Sequence, residues 1–190
     1  MWYVIQTLGG KEEETADMIR RKVSSYYMEE CFIPKRERLK KFHGVWNREE
    51  EILFRGYVFA ASERPDGLYQ ELKQIPRLTK LLGREDEYFF ALNQEEEELV
   101  RGIGDEKHKT SISRIEVGEG KKIRVVEGPL KKYIGYIVKV NLHKREALVQ
   151  VEFMGRKIKL HLGIEMVEME RLNQSIKINE KDIKHGKKED

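Results

Sequence analysis

The stretch that most constrains the fold is Lys121 to Gly135, K-K-I-R-V-V-E-G-P-L-K-K-Y-I-G. Ile123, Val125 and Val126 form a β-branched run that stops at Gly128-Pro129, where glycine frees the dihedrals and proline withholds a ladder donor. A second such run, Ile137, Val138 and Val140, opens after Gly135. The reading is strand, loop, strand, with Lys131, Lys132 and Tyr133 displayed on the loop. Downstream, Val149, Val151 and Phe153 share one parity, and Ile158, Leu160 and Leu162 share another that turns Lys157, Lys159 and His161 outward. Several short strands at this spacing from 119 to 168 predict a small, partly open β-barrel.

The rest of the chain reads differently. Trp2 to Leu8 alternates as a strand and closes at Gly9-Gly10. Lys11 to Tyr27 carries helical spacing, with three glutamates in the first turn complementing the helix dipole. Cys31 to Phe42 is extended, with Pro34 at its edge, and places Arg36, Arg38 and Lys40 on one face. Such an arm is either a charged edge that discourages strand addition or a track for phosphates. Phe54 to Ala61 reads as a buried strand. A helix runs from Pro65 through Ile75 to Pro76, and a last one covers Glu95 to Arg101. Gly102 to Gly120, with Gly102, Gly104, Gly118 and Gly120 among small and charged residues, reads as a linker, and 169–190 as a polar, mostly disordered tail.

Charge separates the two parts. Residues 1–101 hold 17 Lys and Arg against 20 Asp and Glu, whereas 119–168 hold 11 against 6. The overall charge of +3 therefore conceals a basic second domain, for which an anionic partner is expected. Lys144-Arg145 on a turn and Arg156 beside the Lys157, Lys159 and His161 ladder extend that surface, whose plainer explanation is a solvated barrel face.

An enzyme is not expected. The five histidines are scattered without ligand spacing, and no cofactor or metal is expected. The single cysteine, Cys31, excludes an internal disulfide and suits a reducing compartment, so the protein is expected in the cytoplasm and off the membrane. Gly118-Glu119-Gly120-Lys121-Lys122 lacks the Ser or Thr that a phosphate loop requires, and Gly102-Ile103-Gly104 lacks the third dinucleotide-binding glycine.

The run I-R-V-V-E-G-P followed by Gly135, with Phe153-Met154-Gly155-Arg156 downstream, resembles the KOW motif of the NusG family of transcription elongation factors. Trp2-Tyr3-Val4 resembles that family's opening strand, and Phe54-Arg55-Gly56-Tyr57-Val58-Phe59 its F-P-G-Y-V strand, with Arg55 in place of proline. The resemblance implies an α+β fold: an N-terminal NGN α/β sandwich with an antiparallel sheet over 1–101, a linker over 102–118, an SH3-like KOW β-barrel over 119–168 and a tail over 169–190. It further implies that Tyr3, Phe54 and Tyr57 grip the clamp helices of RNA polymerase, with Trp2 and Phe59 structural. Pro65-Asp66-Gly67 would lie near a second contact, the polymerase gate loop, and Leu78 to Gly83 match the family's following segment with Arg77-Leu78 replacing Gly-Val.

Within the family the chain most resembles the LoaP antitermination paralogs, in its short N-terminus, its basic Pro34 to Phe42 arm and its Lys-rich barrel. That resemblance implies a monomer that binds a stem-loop in nascent RNA through Arg36, Arg38, Lys40, Lys131, Lys132, Tyr133, Lys144, Arg145, Arg156, Lys157, Lys159 and His161. Two alternatives stay open: a housekeeping factor whose barrel binds Rho or a ribosomal protein, and a module that binds ribosomal RNA during assembly.

Overall fold

The computed structural model describes residues 1–75 and 89–167. A four-stranded antiparallel sheet organises the first domain, in the order β2 (Glu30–Phe32), β5 (Tyr57–Ala61), β1 (Trp2–Gln6), β6 (Phe89–Ala91). Strand parity gives the sheet two apolar faces. Ile5, Val58 and Ala60 face α1 (Glu12–Lys22) and α2 (Pro65–Lys73), packing with Ile19, Leu68 and Leu72. Trp2, Val4, Phe59 and Ala61 face the other way, toward Val100 and Ile103 of α3 (Gln94–Ile103). The start of α3 is fixed by a capping box, in which Asn93 and Glu96 each accept from the other's backbone N–H.

Three elements differ from the sequence expectations. Helix α1 stops at Lys22: Val23 is already extended, and the Ser24 hydroxyl accepts from the Tyr26 N–H, offering the backbone an alternative to helix. The strand expected from Phe54 begins at Tyr57, because the chain turns at Gly56, whose φ of 83° is in the left-handed region. That turn is tied down by the Thr7 N–H donating to the Gly56 carbonyl at 2.8 Å and the Gly56 N–H donating to Glu12 Oε1 at 2.7 Å. The stretch read as linker is structured: Gly102 and Ile103 finish α3, β7 (Lys109–Thr110) runs parallel to β3 (Lys35–Phe42), and β8 (Ser113–Val117) joins the second sheet. Pro76, Leu78 to Gly83 and the tail over 169–190 lie outside the described residues.

β3 pairs with β4 (Val45–Ile52) in a long hairpin closed by His43-Gly44, with φ of 47° and 84°. Positive φ at both turn residues matches the twist of the flanking strands. The second domain is a five-stranded sheet in the order β10 (Ile137–Asn141), β11 (Glu146–Phe153), β12 (Arg156–Met166), β8, β9 (Ile123–Glu127). A 3₁₀ segment, Pro129–Tyr136, links β9 to β10 and drives Leu130 into the interior. The two-residue alternation along β12 leaves Lys157, Lys159 and His161 exposed, with Leu160 and Leu162 buried.

The two domains share a core. One apolar cluster continues from Trp2, Val4 and Phe59 through Phe54 into Phe153, Val151 and Leu160 of the barrel. Phe153 is 1% exposed, with ring centroids 4.9 Å from Phe54 and 6.1 Å from Tyr57. Backbones also meet directly. A Cβ at Gly163 on β12 would lie 2.4 Å from the Glu37 carbonyl oxygen on β3, so only glycine permits this crossing.

Candidate nucleic-acid interface

The β3–β4 hairpin carries the first group of candidate cations, and its register decides what they can do. Arg36 lies opposite Glu51, Arg38 opposite Glu49, and Lys40 opposite Asn47. Glu51 receives Arg36 Nη2 at 2.7 Å and also binds Arg38, Lys40 reaches Glu49 at 3.4 Å, and Lys35 reaches Glu13 at 2.7 Å. Of the two sequence readings of this arm, a charged strand edge or a track for phosphates, the pairing weakens the second without removing it. The run Glu49-Glu50-Glu51 on the adjoining strand neutralises much of the arm, a pairing visible only once the hairpin register is known. Arg36 is buried rather than displayed, with 6% of its surface exposed. Burial lowers the Arg36 pKa against the opposing pull of Glu51. Burial raises the Glu51 carboxyl, but hydrogen bonds and charge from Arg38 and Arg36 outweigh it and hold the group below the usual carboxylate range.

Between this hairpin and the barrel lies a cleft of about 690 Å³. The hairpin side supplies Arg36, Arg38, Lys40, Lys41 and Trp46, and Arg55 follows on the turn before β5. From the barrel come His143 and Lys144 on the β10–β11 turn, with Lys159 and His161 on β12. Lys144, Lys159 and Arg55 are exposed and have no ion-pair partner among the described residues. His161 Nδ1 is 3.1 Å from Glu146. Arg145, adjoining the cleft, holds φ at 54° and sets its guanidinium 5.1 Å from the centroid of Trp46. Candidate residues from both halves of the chain thus meet on one surface, lined as well by Glu51 and Glu146.

Trp46 was not among the residues singled out by sequence, and Lys41 only as part of the basic Pro34 to Phe42 arm. The only sequence signal for Trp46 was an aromatic next to a basic run, which has no meaning until the hairpin folds against the barrel.

The remaining candidates lie elsewhere. Lys132, Tyr133 and Lys157 border a second cleft, opposite Glu95, Glu96, Glu98 and Glu152. This setting is acidic. Tyr133 is half-buried, donates to the Leu99 carbonyl at 3.4 Å, and has its phenol pKa raised by desolvation and then by Tyr136. It packs barrel against helix and is not free on a loop. The β11–β12 turn docks here too, the Met154 N–H donating to Glu96 Oε1 at 2.6 Å. Lys131 and Arg156 are exposed and border neither cleft.

The three aromatics expected to grip polymerase do not share a face. Phe54 and Tyr57 lie on the sheet face that Phe153 covers. Tyr3 has the parity of Ile5 and stacks on Phe89 on the opposite face, at 5.0 Å and an interplanar angle of 6°. Desolvation raises its phenol pKa, and carboxylates at Glu63 and Asp66 raise it further. Pro65-Asp66-Gly67 opens α2. The F-P-G-Y-like position 55 carries an exposed arginine in the cationic cleft.

No group of three or more His, Cys, Asp or Glu among the described residues is placed to hold a metal ion. The Cys31 thiol is buried and pushed up to about 12, chiefly by desolvation, so it carries little thiolate. No helix among the described residues is long and apolar enough to cross a membrane.

Comparison with known proteins agrees with this architecture. The family model "NusG: Transcription termination factor nusG" matches residues 1–101. The transcription termination/antitermination protein NusG of Buchnera aphidicola is 26% identical over 175 residues, spanning 88% of this chain and 94% of the relative. Its counterpart in Pseudomonas aeruginosa is 26% identical over 172 residues, spanning 88% and 97%. A solved structure described as "Domain interaction in Thermotoga maritima NusG" superposes with a TM-score of 0.50 at 23% identity, covering 85% of this chain and 92% of that one.

Proposed function

The chain belongs to the NusG family of transcription factors, and from that premise we propose that it is a processive antitermination factor that joins RNA polymerase to a stem-loop in the nascent transcript. The observation that carries the reading is the cleft in which Arg55, Lys144 and Lys159, cations from both domains without ion-pair partners among the described residues, converge beside Trp46. Neutralising phosphates with such groups releases condensed counterions, which supplies affinity and makes it fall with salt. The barrel and hairpin together then hold the RNA, in keeping with the likeness to the LoaP paralogs.

The polymerase side of the proposal rests on Phe54 and Tyr57. The clamp helices would need an apolar face, and these two rings provide one once Phe153 is withdrawn. The cleft is assembled only while Phe153 covers that face, so capture of the RNA in the docked state would precede docking of Phe54 and Tyr57 on polymerase, delivering the factor to transcripts that carry its hairpin. Docking on polymerase then opposes clamp opening at pauses and terminators. Tyr3, placed on the far face, is not assigned to this contact.

One observation favours a housekeeping role. Ile134, Tyr136 and Val138, on and beside the edge strand β10, are more than half exposed, a surface suited to a protein partner such as Rho or a ribosomal protein. Crosslinking in cells followed by sequencing of the bound RNA separates the readings. A leader hairpin of one or a few operons is the expected result; reads spread over most transcripts would favour the housekeeping role, and recovery of ribosomal RNA alone would overturn both.

A further inference from the structure

Trp46 stands out among the residues of the cleft. It is half-buried on β4, directly opposite Lys41 on β3, at a hairpin end where Phe42 and Val45 are each 63% exposed. Large aromatics in that situation are ordinarily packed or partnered. Here the partners are loose: Arg145 lies 5.1 Å and Lys41 5.8 Å from the ring centroid, whereas Arg101 lies 3.9 Å from the ring of Trp2. Arg145 reaches this position from a left-handed backbone conformation that a non-glycine residue rarely adopts. Below them, buried Arg36 lines the cleft, and its guanidinium Nη1, itself closed to solvent, has no hydrogen-bond partner among the described residues. An unpaired buried donor on a charged group is costly, and an anion or a nucleobase carbonyl would satisfy it.

Resting on the RNA reading above, we infer that the cleft receives a single unpaired nucleotide of the RNA, its base stacked on Trp46 and its phosphates held by Lys144, Lys159 and Arg55, with Arg36 at the floor. The argument is one of shape as well as charge. A volume of about 690 Å³ falls in the size range of small-ligand sites and admits a nucleotide, not a helix. An unbroken A-form helix shows no base face for a ring to stack on and closes its major groove to side chains, whereas bulged and looped bases are free to leave the stack. An aromatic platform rimmed by cations is the arrangement that holds such bases without demanding a sequence. The ligand class is therefore an RNA hairpin with an unpaired nucleotide, in preference to continuous duplex.

The test uses the full chain and two pools of synthetic RNA with the same randomised stems. One pool consists of hairpins with a single unpaired nucleotide midway along the stem, and the other of blunt, fully paired duplexes. The chain has two tryptophans, and Trp2 is only 4% exposed, so a change in intrinsic emission on titration reports Trp46. The expected result is tighter binding of the hairpins by about five- to a hundredfold, with quenched emission. Trp46→Ala should bring the hairpins down to duplex affinity, and Trp46→Phe, which keeps a ring and guards against misfolding of the alanine variant, should retain most of the preference. Equal binding of the two pools with emission unmoved overturns the stacking site and leaves the RNA reading standing. Failure of the unaltered chain to bind either pool overturns both.

Discussion

Phe54→Ala and Phe153→Ala, made singly and together, measure whether the two domains are held as one body. Phe54 is 2% exposed and Phe153 1% exposed, so each truncation should cost about 3–5 kcal/mol in lost burial and residual cavity. In a chain of this length that lowers the thermal midpoint by about 6–20 °C. The informative quantity is the coupling. The rings meet at 4.9 Å with 42° between their planes, and such a pair is worth about 0.5–1.5 kcal/mol beyond area burial. The double variant should therefore lose less than the sum of the singles by at least that amount, since removing either ring already opens the shared space. Urea unfolding followed by circular dichroism gives all four free energies, and the unaltered chain should unfold in one transition. Additivity within about 0.3 kcal/mol, or two separate transitions in the unaltered chain, would refute the shared core.

Other outcomes follow from the same geometry. Charge reversal of Lys144 and Lys159 together should weaken RNA binding and reduce the salt slope by about 0.7–0.9 for each phosphate no longer neutralised; Lys157→Glu, in the acidic second cleft, should change the slope less, and equal effects in a gel-shift titration would contradict the assignment. Glu51→Gln strips the charge partner from Arg36 and Arg38 and should cost about 1–3 kcal/mol near neutral pH. Because the folded Glu51 carboxyl titrates below the ordinary 4.5, its stabilisation is complete above that pH and is lost as pH falls through the depressed value. The difference in stability between the unaltered chain and the glutamine variant should accordingly shrink on acidification; a constant difference from neutral to acid pH would exclude this pair as the cause. Gly163→Ala drives a methyl to 2.4 Å from the Glu37 carbonyl oxygen and should force the barrel off the hairpin, seen as an increased radius of gyration in small-angle scattering; an unchanged radius would show that the crossing is not that close.

Much of the fold was legible because local patterns carried it. Glycine and proline bracketed β9 and β10, parity along β12 separated Leu160 and Leu162 from Lys159 and His161, and the first-turn glutamates of α1 marked a helix start. The site was less legible because it depends on pairings between distant residues. The alternation of Arg36, Arg38 and Lys40 suggested a phosphate track, but Glu49 to Glu51 face them across the hairpin. β8 passed as linker because its five residues lie among glycines and charged residues, which outweighed the alternation of Ile115 and Val117, and because its parallel partner, Ile164 to Met166, lies far along the chain although β9 is close by. Phe153 looked like barrel core alone; that it also seals Phe54 and Tyr57 is a property of docking, which no single segment encodes.

Amide hydrogen exchange on the full chain, with and without a hairpin RNA that it binds, is the most direct test of a site assembled from both domains. RNA should slow exchange at once in the β3–β4 hairpin around Lys40 to Trp46 and in the barrel around His143 to Glu146 and Lys157 to His161. Protection confined to the barrel, with the hairpin exchanging as fast as in the free chain, would contradict it.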